Sequence, residues 1–244
     1  MMPDAAQLYR VCDHTWPAAR MWRDGAWMLR EGQGGGKRVS AATLEDQSGA
    51  PAIAQAETAM RELGQSPLFM IRDGDAALDA ELAARGYTVV DPVVMYVAPI
   101  TRLTDLPIPR VTAFCIWEPL AIMAEIWAKG GIGPARLKVM HRAAIKTGVL
   151  ARWNEKPAGV GFAAVHDGVC MVHAVEVLPH QRKQGVAKWI MRAAAFWAQD
   201  KGATHISVLC TQANAPANAL YSGLGFEVAG HYHYRQTPET GVRQ

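Results

Sequence analysis

Apolar positions alternate with polar ones in some segments of this chain and recur every three to four residues in others. Residues 149–153 and 159–165 are short, mostly apolar runs and read as a hairpin turning at Asn154-Glu155-Lys156-Pro157. Val169–Val177 reads as a further strand. From Gly185 the period lengthens: Val186, Ile190, Ala193 and Trp197 predict a helix over 186–201, closed by Lys201-Gly202 as a basic last turn and cap. Residues 205–210 are β-rich, 215–222 helical, and 226–234 a strand again. This order predicts a mixed α/β (α+β) sheet with helices packed on it.

The first half has a weaker echo of that order. A helix over 51–63, starting at Pro51, ends at Gly64, and residues 67–72 are β-like. A turn then reaches Asp75, and a helix ends at Gly86-Tyr87. Asp75 to Gly86 has the same spacing as Asn214 to Gly225, which suggests two related halves. Upstream, the glycine-rich run 32–36 reads as a hairpin turn between 27–30 and 38–44. The stretch 98–109 holds three prolines and no sustained period, as a linker would. The expected division is therefore 1–98 as a smaller accessory domain, 99–111 as linker and 112–244 as the catalytic domain.

Composition narrows the function classes. Half of the 244 residues are apolar, ample for a packed core. No apolar run reaches the ~18–20 residues of a membrane span. The start lacks a basic-then-apolar signal layout, so a cytoplasmic protein is expected. Cys12, Cys115, Cys170 and Cys210 are far apart with no CxxC pair and no metal-ligand spacing, which points to reduced thiols and no metal. Net charge is −4 over residues 1–98 and +7 over the rest. A basic second half suits a polyanionic ligand, but its cations are scattered rather than clustered with aromatics, so nucleic acid is not expected.

The segment between the strand and the long helix carries candidate chemistry. In Val177-Leu-Pro-His-Gln-Arg182-Lys-Gln-Gly185-Val-Ala187, small residues at 185 and 187 let the backbone turn tightly. Amide N–H groups then converge at a helix N-terminus, a nest that holds a pyrophosphate with help from Arg182 and Lys183. Downstream stands Asn214-Ala-Pro-Ala-Asn-Ala-Leu-Tyr221-Ser-Gly-Leu-Gly225-Phe226.

Together these resemble the two signatures of the Gcn5-related N-acetyltransferase (GNAT) superfamily, V-x-P-x-x-R-x-x-G-x-G/A and N-x-x-A-x-x-L-Y-x-x-x-G-F. The resemblance covers about residues 112–235. It implies a GNAT-type, mostly antiparallel sheet flanked by helices, with a smaller GNAT-like N-terminal domain, and acetyl-CoA as co-substrate. It assigns the pyrophosphate to the amides of Lys183, Gln184, Gly185, Val186 and Ala187, shaped by Arg182 and Gly185, with Ala187 in place of the commoner Gly. It assigns the pantetheine arm to the main chain of Val175 and Val177, and to Asn214 from the opposite strand. Tyr221 stands where the family's acid protonates the departing thiolate.

The chemistry supports such roles. An amine attacks a thioester directly, the oxyanion needs a preorganised N–H donor, and a thiolate leaves better when protonated. Alternation puts His173 with Met171, Val175 and Val177 on one strand face, which makes His173 the first candidate for the base and Glu176 the second. His231 and His233 are further candidates for an acceptor pocket. Cys210 as an acyl carrier is not required by direct transfer. In the first half, Asp46 stands where Arg182 is expected and Leu82 where Tyr221 is, so a related first half would be a degenerate one without CoA. Trp117, Met123 and Trp127 form a stripe better suited to core than to a substrate cage.

The expected function is acetyl transfer to a primary amine on a small molecule, protein or peptide. A non-catalytic acyl-CoA-binding module is the alternative. The acceptor and the oligomeric state are not legible, and a homodimer stays open.

Overall fold

The computed structural model describes residues 1–49 and 52–237. The first half comprises α1 (Ala5–Thr15), β1 (Arg20–Asp24), β2 (Trp27–Glu31), β3 (Thr43–Leu44), α2 (Ile53–Glu62), β4 (Leu68–Arg72), α3 (Ala76–Ala84) and β5 (Thr88–Pro99). The second comprises β6 (Ala113–Ile116), α4 (Ala121–Lys129), α5 (Pro134–Arg142), β7 (Ile145–Trp153), β8 (Lys156–His166), β9 (Val169–Val177), α6 (Val186–Gln199), β10 (His205–Thr211), α7 (Ala215–Gly223) and β11 (Glu227–Gln236). No helix among the described residues is long and apolar enough to cross a membrane.

The strands predicted in the second half are present, with ends shifted by a few residues. The helix expected from Pro51 is described from Ile53 onward, Pro51 itself lying outside the described residues. The glycine-rich run 32–36 differs from expectation. β2 pairs mainly with β1, and meets β3 only at Trp27–Leu44 and Met28–Thr43. Arg38 stands in a 3-10 turn, Lys37–Val39, instead of a strand. The reason is packing: a Cβ on Gly35 would lie 2.6 Å from a methyl of Val139, so the run nests against α5.

Eight strands form one mostly antiparallel sheet in the order β4-β11-β5-β10-β9-β8-β7-β6, and β1-β2-β3 form a small second sheet. The two halves, expected as successive units of chain, share the large sheet. β5 from the first half lies between β10 and β11 of the second. Helix α6 packs on β7 to β9 over an apolar cluster that includes Val172, Ile190, Met191 and Ala194. On the opposite face α1 and α4 cover the sheet, with Trp127 and Phe162 fully buried beneath them.

The four strands at the join obey a local two-fold relation. The pairs Arg72–Tyr232 and Leu68–Gln236 join β4 to β11, while Thr211–Val93 and Ser207–Val97 join β10 to β5. Laying Gly86 on Gly225 turns each first pair into the second. Between β5 and β11, Val93 faces Tyr232, and Val228–Tyr96 mirrors Arg235–Val89. The echo in the sequence is therefore an echo in strand register.

Candidate active site

β9 and β10 run parallel and are hydrogen-bonded only from Val169–Val172 to His205–Val208. Beyond that point they part, and a cavity of about 900 Å³ opens between them. Its walls include Val175, Glu176, the 182–187 loop, Asn214 and Tyr221.

The loop at one end is shaped by two left-handed residues, Lys183 (φ +62°) and Gly185 (φ +78°), just ahead of α6. The first helical bond there runs from Trp189 N–H to Gly185 C=O at 3.2 Å. The amides of Val186, Ala187 and Lys188 are thus left without partners among the described residues. Fourteen residues of helix aim their dipole at the same point, an arrangement that suits an anion. The Val186 side chain is buried under the sheet, so only its backbone is available. Arg182 folds back and donates from Nε to the Val177 carbonyl at 3.2 Å, which occupies one of the main-chain groups expected to meet pantetheine.

The face assignment along β9 has to be corrected. Val160 pairs with Glu176 but Phe162 with His173, so β9 carries one extra residue, and Ala174 takes it up at φ +51°. Such a bulge inverts the side-chain parity beyond it. Val175 and Val177 therefore join Cys170 and Val172 on the α6 side. His173 and Glu176 lie on the other face, where a Cβ on Gly130 would meet the Glu176 carboxyl at 2.4 Å. Trp127, whose Nε1 donates to the Ala174 carbonyl at 2.9 Å, pins the bulge from α4.

His173 is buried, and both its ring nitrogens are engaged. Arg38 donates to Nδ1 at 3.0 Å, which leaves the proton on Nε2, 3.0 Å from Thr15 Oγ1. Burial, with Arg38 beside it, holds His173 well below the usual histidine range, so the ring is neutral. Glu176 moves the other way: partial burial raises its carboxyl above the ordinary 4.5, against the pull of Arg182 and Arg136. Burial likewise pushes the Tyr221 hydroxyl above its ordinary value, with Cys210 adding to the effect. Tyr221 packs between Tyr96 and Phe226 at ring separations of 5.7 and 5.9 Å.

Asn214 does not stand on the opposite strand, since β10 ends at Thr211. It caps α7, accepting from the Ala217 amide at 3.2 Å, which leaves its amide nitrogen as the free group. Asn218 ties that cap to the sheet, donating to the carbonyls of Thr211, Gln212 and Asn214 and accepting from Tyr96 Oη at 3.0 Å.

A second cavity of about 230 Å³ adjoins the first at Arg38, His173, Ala174 and Thr211. Tyr232 and Tyr234 line it, in place of the expected His231 and His233. His231 is exposed, and His233 pairs with Asp79 at 2.8 Å. The alternation of β11 decides this, since neighbours on a strand face opposite ways. Arg38 and Trp16, both from the first half, escaped the sequence reading because no local motif marks them.

The matching place in the first half is differently filled. β3 and β4 meet at one parallel bridge, Ala42–Phe69, and beyond it Arg72 spans the gap. Its guanidinium donates to the Leu44 carbonyl and pairs with Glu45 at 3.0 Å. Asp75, the counterpart of Asn214, is buried and accepts from Gln47 and from the Arg72 amide. Leu82, the counterpart of Tyr221, lies in the core.

Comparisons with known proteins agree with this geometry. The chain is 36% identical over 74 residues to streptothricin acetyltransferase of Streptomyces lavendulae, a match taking in 29% of this chain and only 39% of that protein. A GCN5-related N-acetyltransferase from Kribbella flavida has the same fold at a TM-score of 0.72 and 18% identity, with 98% of this chain and 97% of that one covered. A tandem GNAT protein from the clavulanic acid biosynthesis pathway follows at a TM-score of 0.57 and 14% identity, covering 80% and 74%. Residues 122–226, which hold β9, the loop, α6 and α7, match the model of the acetyltransferase (GNAT) family.

Proposed function

We propose that the protein is an N-acetyltransferase that moves an acetyl group from acetyl-CoA to a primary amine. The observation that carries this reading is one cavity, opened by the parting of β9 from β10, with free helix amides at one end and Tyr221 and Glu176 on its walls. The amides of 183–187 would hold the CoA pyrophosphate, and the exposed edges of Val175 and Val177, with the Asn214 amide nitrogen, the pantetheine arm.

In this scheme the amine nitrogen attacks the thioester carbonyl carbon. Glu176 takes the proton the amine must lose, directly or through water. The C–S bond then breaks as Tyr221 delivers its proton to the sulfur. Glu176 is preferred over His173 as the base because Arg38 occupies the only lone pair of the neutral His173 ring. A carboxyl raised by burial is also a stronger proton acceptor than an ordinary one. The thioester is already activated, so the scheme needs no metal. The first half would complete the sheet and wall the acceptor side rather than bind a second CoA, since Arg72 fills the corresponding gap.

Thiol release from acetyl-CoA across a panel of amines tests the proposal. Release with some amine, lowered about 10²-fold or more in Tyr221→Phe, is expected. Tight CoA binding with no release from any amine would instead favour an acyl-CoA-binding module.

A further inference from the structure

The smaller cavity points to the class of acceptor. Three cations reach it, Lys37, Arg38 and Arg136, against one carboxylate, Asp91. Asp91 is already spent on Lys37, at 2.9 Å between two half-exposed side chains. His173 cannot compensate the others, because it is neutral and accepts from Arg38. Arg136 makes no close ion pair among the described residues, and the carboxylate that feels it, Glu176, lines the adjoining larger cavity. The local balance is therefore positive, in a protein whose first half is acidic overall.

Two polar atoms at this wall are buried with no hydrogen-bond partner, Arg38 Nε and the hydroxyl of Tyr232. Tyr232 is only 3% exposed, so water does not satisfy it readily. Buried donors left unmade are costly, and a native fold keeps them where something else completes them. The two lie beside each other, with Tyr234 next to Tyr232, but hydrogen-bond geometry is not met at either atom. A carboxylate offers two acceptor oxygens and the opposite charge, and a guanidinium is shaped to meet it. The cavity holds about 230 Å³, the space of roughly eight waters, which suits a small molecule.

We infer that the acceptor is a small amine that also carries a carboxylate, of the amino-acid type, held with its carboxylate on Arg38 and Tyr232 and its amine toward the bulge at Ala174. Arg136 adds attraction at the mouth. A polycationic amine meets repulsion from the same groups. The inference rests on the acetyltransferase reading for the direction in which the amine points.

The test uses the full chain, acetyl-CoA and matched acceptors: alanine with ethylamine, phenylalanine with phenethylamine, and the methyl ester of each amino acid. The carboxylated member should have the higher kcat/KM by about tenfold or more, the worth of one charged hydrogen-bonded contact. Arg38→Met should bring that ratio near one, Arg38→Lys should keep part of it, and Arg136→Gln, on an exposed helix face, should lower it without a change in fold. Amines and esters turned over as well as the free acids would overturn the inference and leave the acetyltransferase reading standing. If no acceptor is turned over, calorimetry of N-acetylalanine against N-ethylacetamide on the CoA-loaded protein decides instead. A preference for the acid that Arg38→Met abolishes would support the carboxylate site, and no preference would overturn it.

Discussion

Arg38 donates to His173 Nδ1 at 3.0 Å and so joins a 3-10 turn of the first half to the bulged strand of the second. The bond fixes the His173 tautomer, and through Nε2 it continues to Thr15 and the Val11 carbonyl at the end of α1. A histidine held this way braces the wall shared by the two cavities, and it is poorly placed to take a proton.

That relation has a signature in stability. The folded protein keeps His173 unprotonated well below the usual range, whereas the unfolded chain binds a proton near pH 6.5. Below that pH the unfolded state holds the extra proton, so stability falls as pH falls. Each such group contributes up to about 1.4 kcal/mol per pH unit. Thermal melts between pH 7 and pH 5 should show a shallower decline in His173→Gln than in the wild type. Equal slopes would mean that the ring is not held neutral.

Catalysis should titrate with a different group. If Glu176 is the base, kcat/KM should fall on acidification through a pKa above the ordinary 4.5. Glu176→Gln should remove that limb and about 10²–10⁴-fold of the rate. Burial holds Tyr221 protonated past its ordinary value, so the alkaline side should show no loss from it below about pH 10. A pH profile unchanged by Glu176→Gln would remove Glu176 from the mechanism.

Gly159 tests how closely β8, β9 and α6 must approach. A Cβ there would lie 2.8 Å from the Glu176 backbone oxygen and 3.0 Å from a methyl of Val186. Neither backbone nor packed core gives way cheaply. Gly159→Ala should cost about 1–3 kcal/mol of stability and weaken CoA binding, because α6 carries the free amides. Denaturant melts and CoA titration read the two effects separately.

The shared sheet predicts that the halves do not live apart. Without β5, β10 loses seven paired residues and β11 loses its inner neighbour. Residues 112–244 expressed alone should expose these edges and aggregate, and co-expression with residues 1–111 should restore a soluble complex. A soluble, CoA-binding fragment 112–244 would show that the second half completes its own sheet.

The sequence by itself determined the local elements and the two loops that carry the family resemblance. Short apolar, β-rich runs marked β7 to β10, and helical spacing marked α6. The Arg182–Ala187 turn and the Asn214–Phe226 segment were legible because their chemistry is contiguous in the chain. Even the echo between the halves was visible as a spacing, Asp75 to Gly86 against Asn214 to Gly225. What only the tertiary structure decided depends on contacts between distant residues. One extra residue at Ala174 reversed the faces of β9, and no period in the sequence announces a single inserted residue. Register with β5 set Tyr232 and Tyr234, rather than His231 and His233, toward the smaller cavity. Arg38 reached His173 across 135 positions because the glycine-rich run packs on α5. Local period follows from backbone geometry within a few residues, while the site's polar partners follow from strand pairing and packing that close only when the whole sheet has formed.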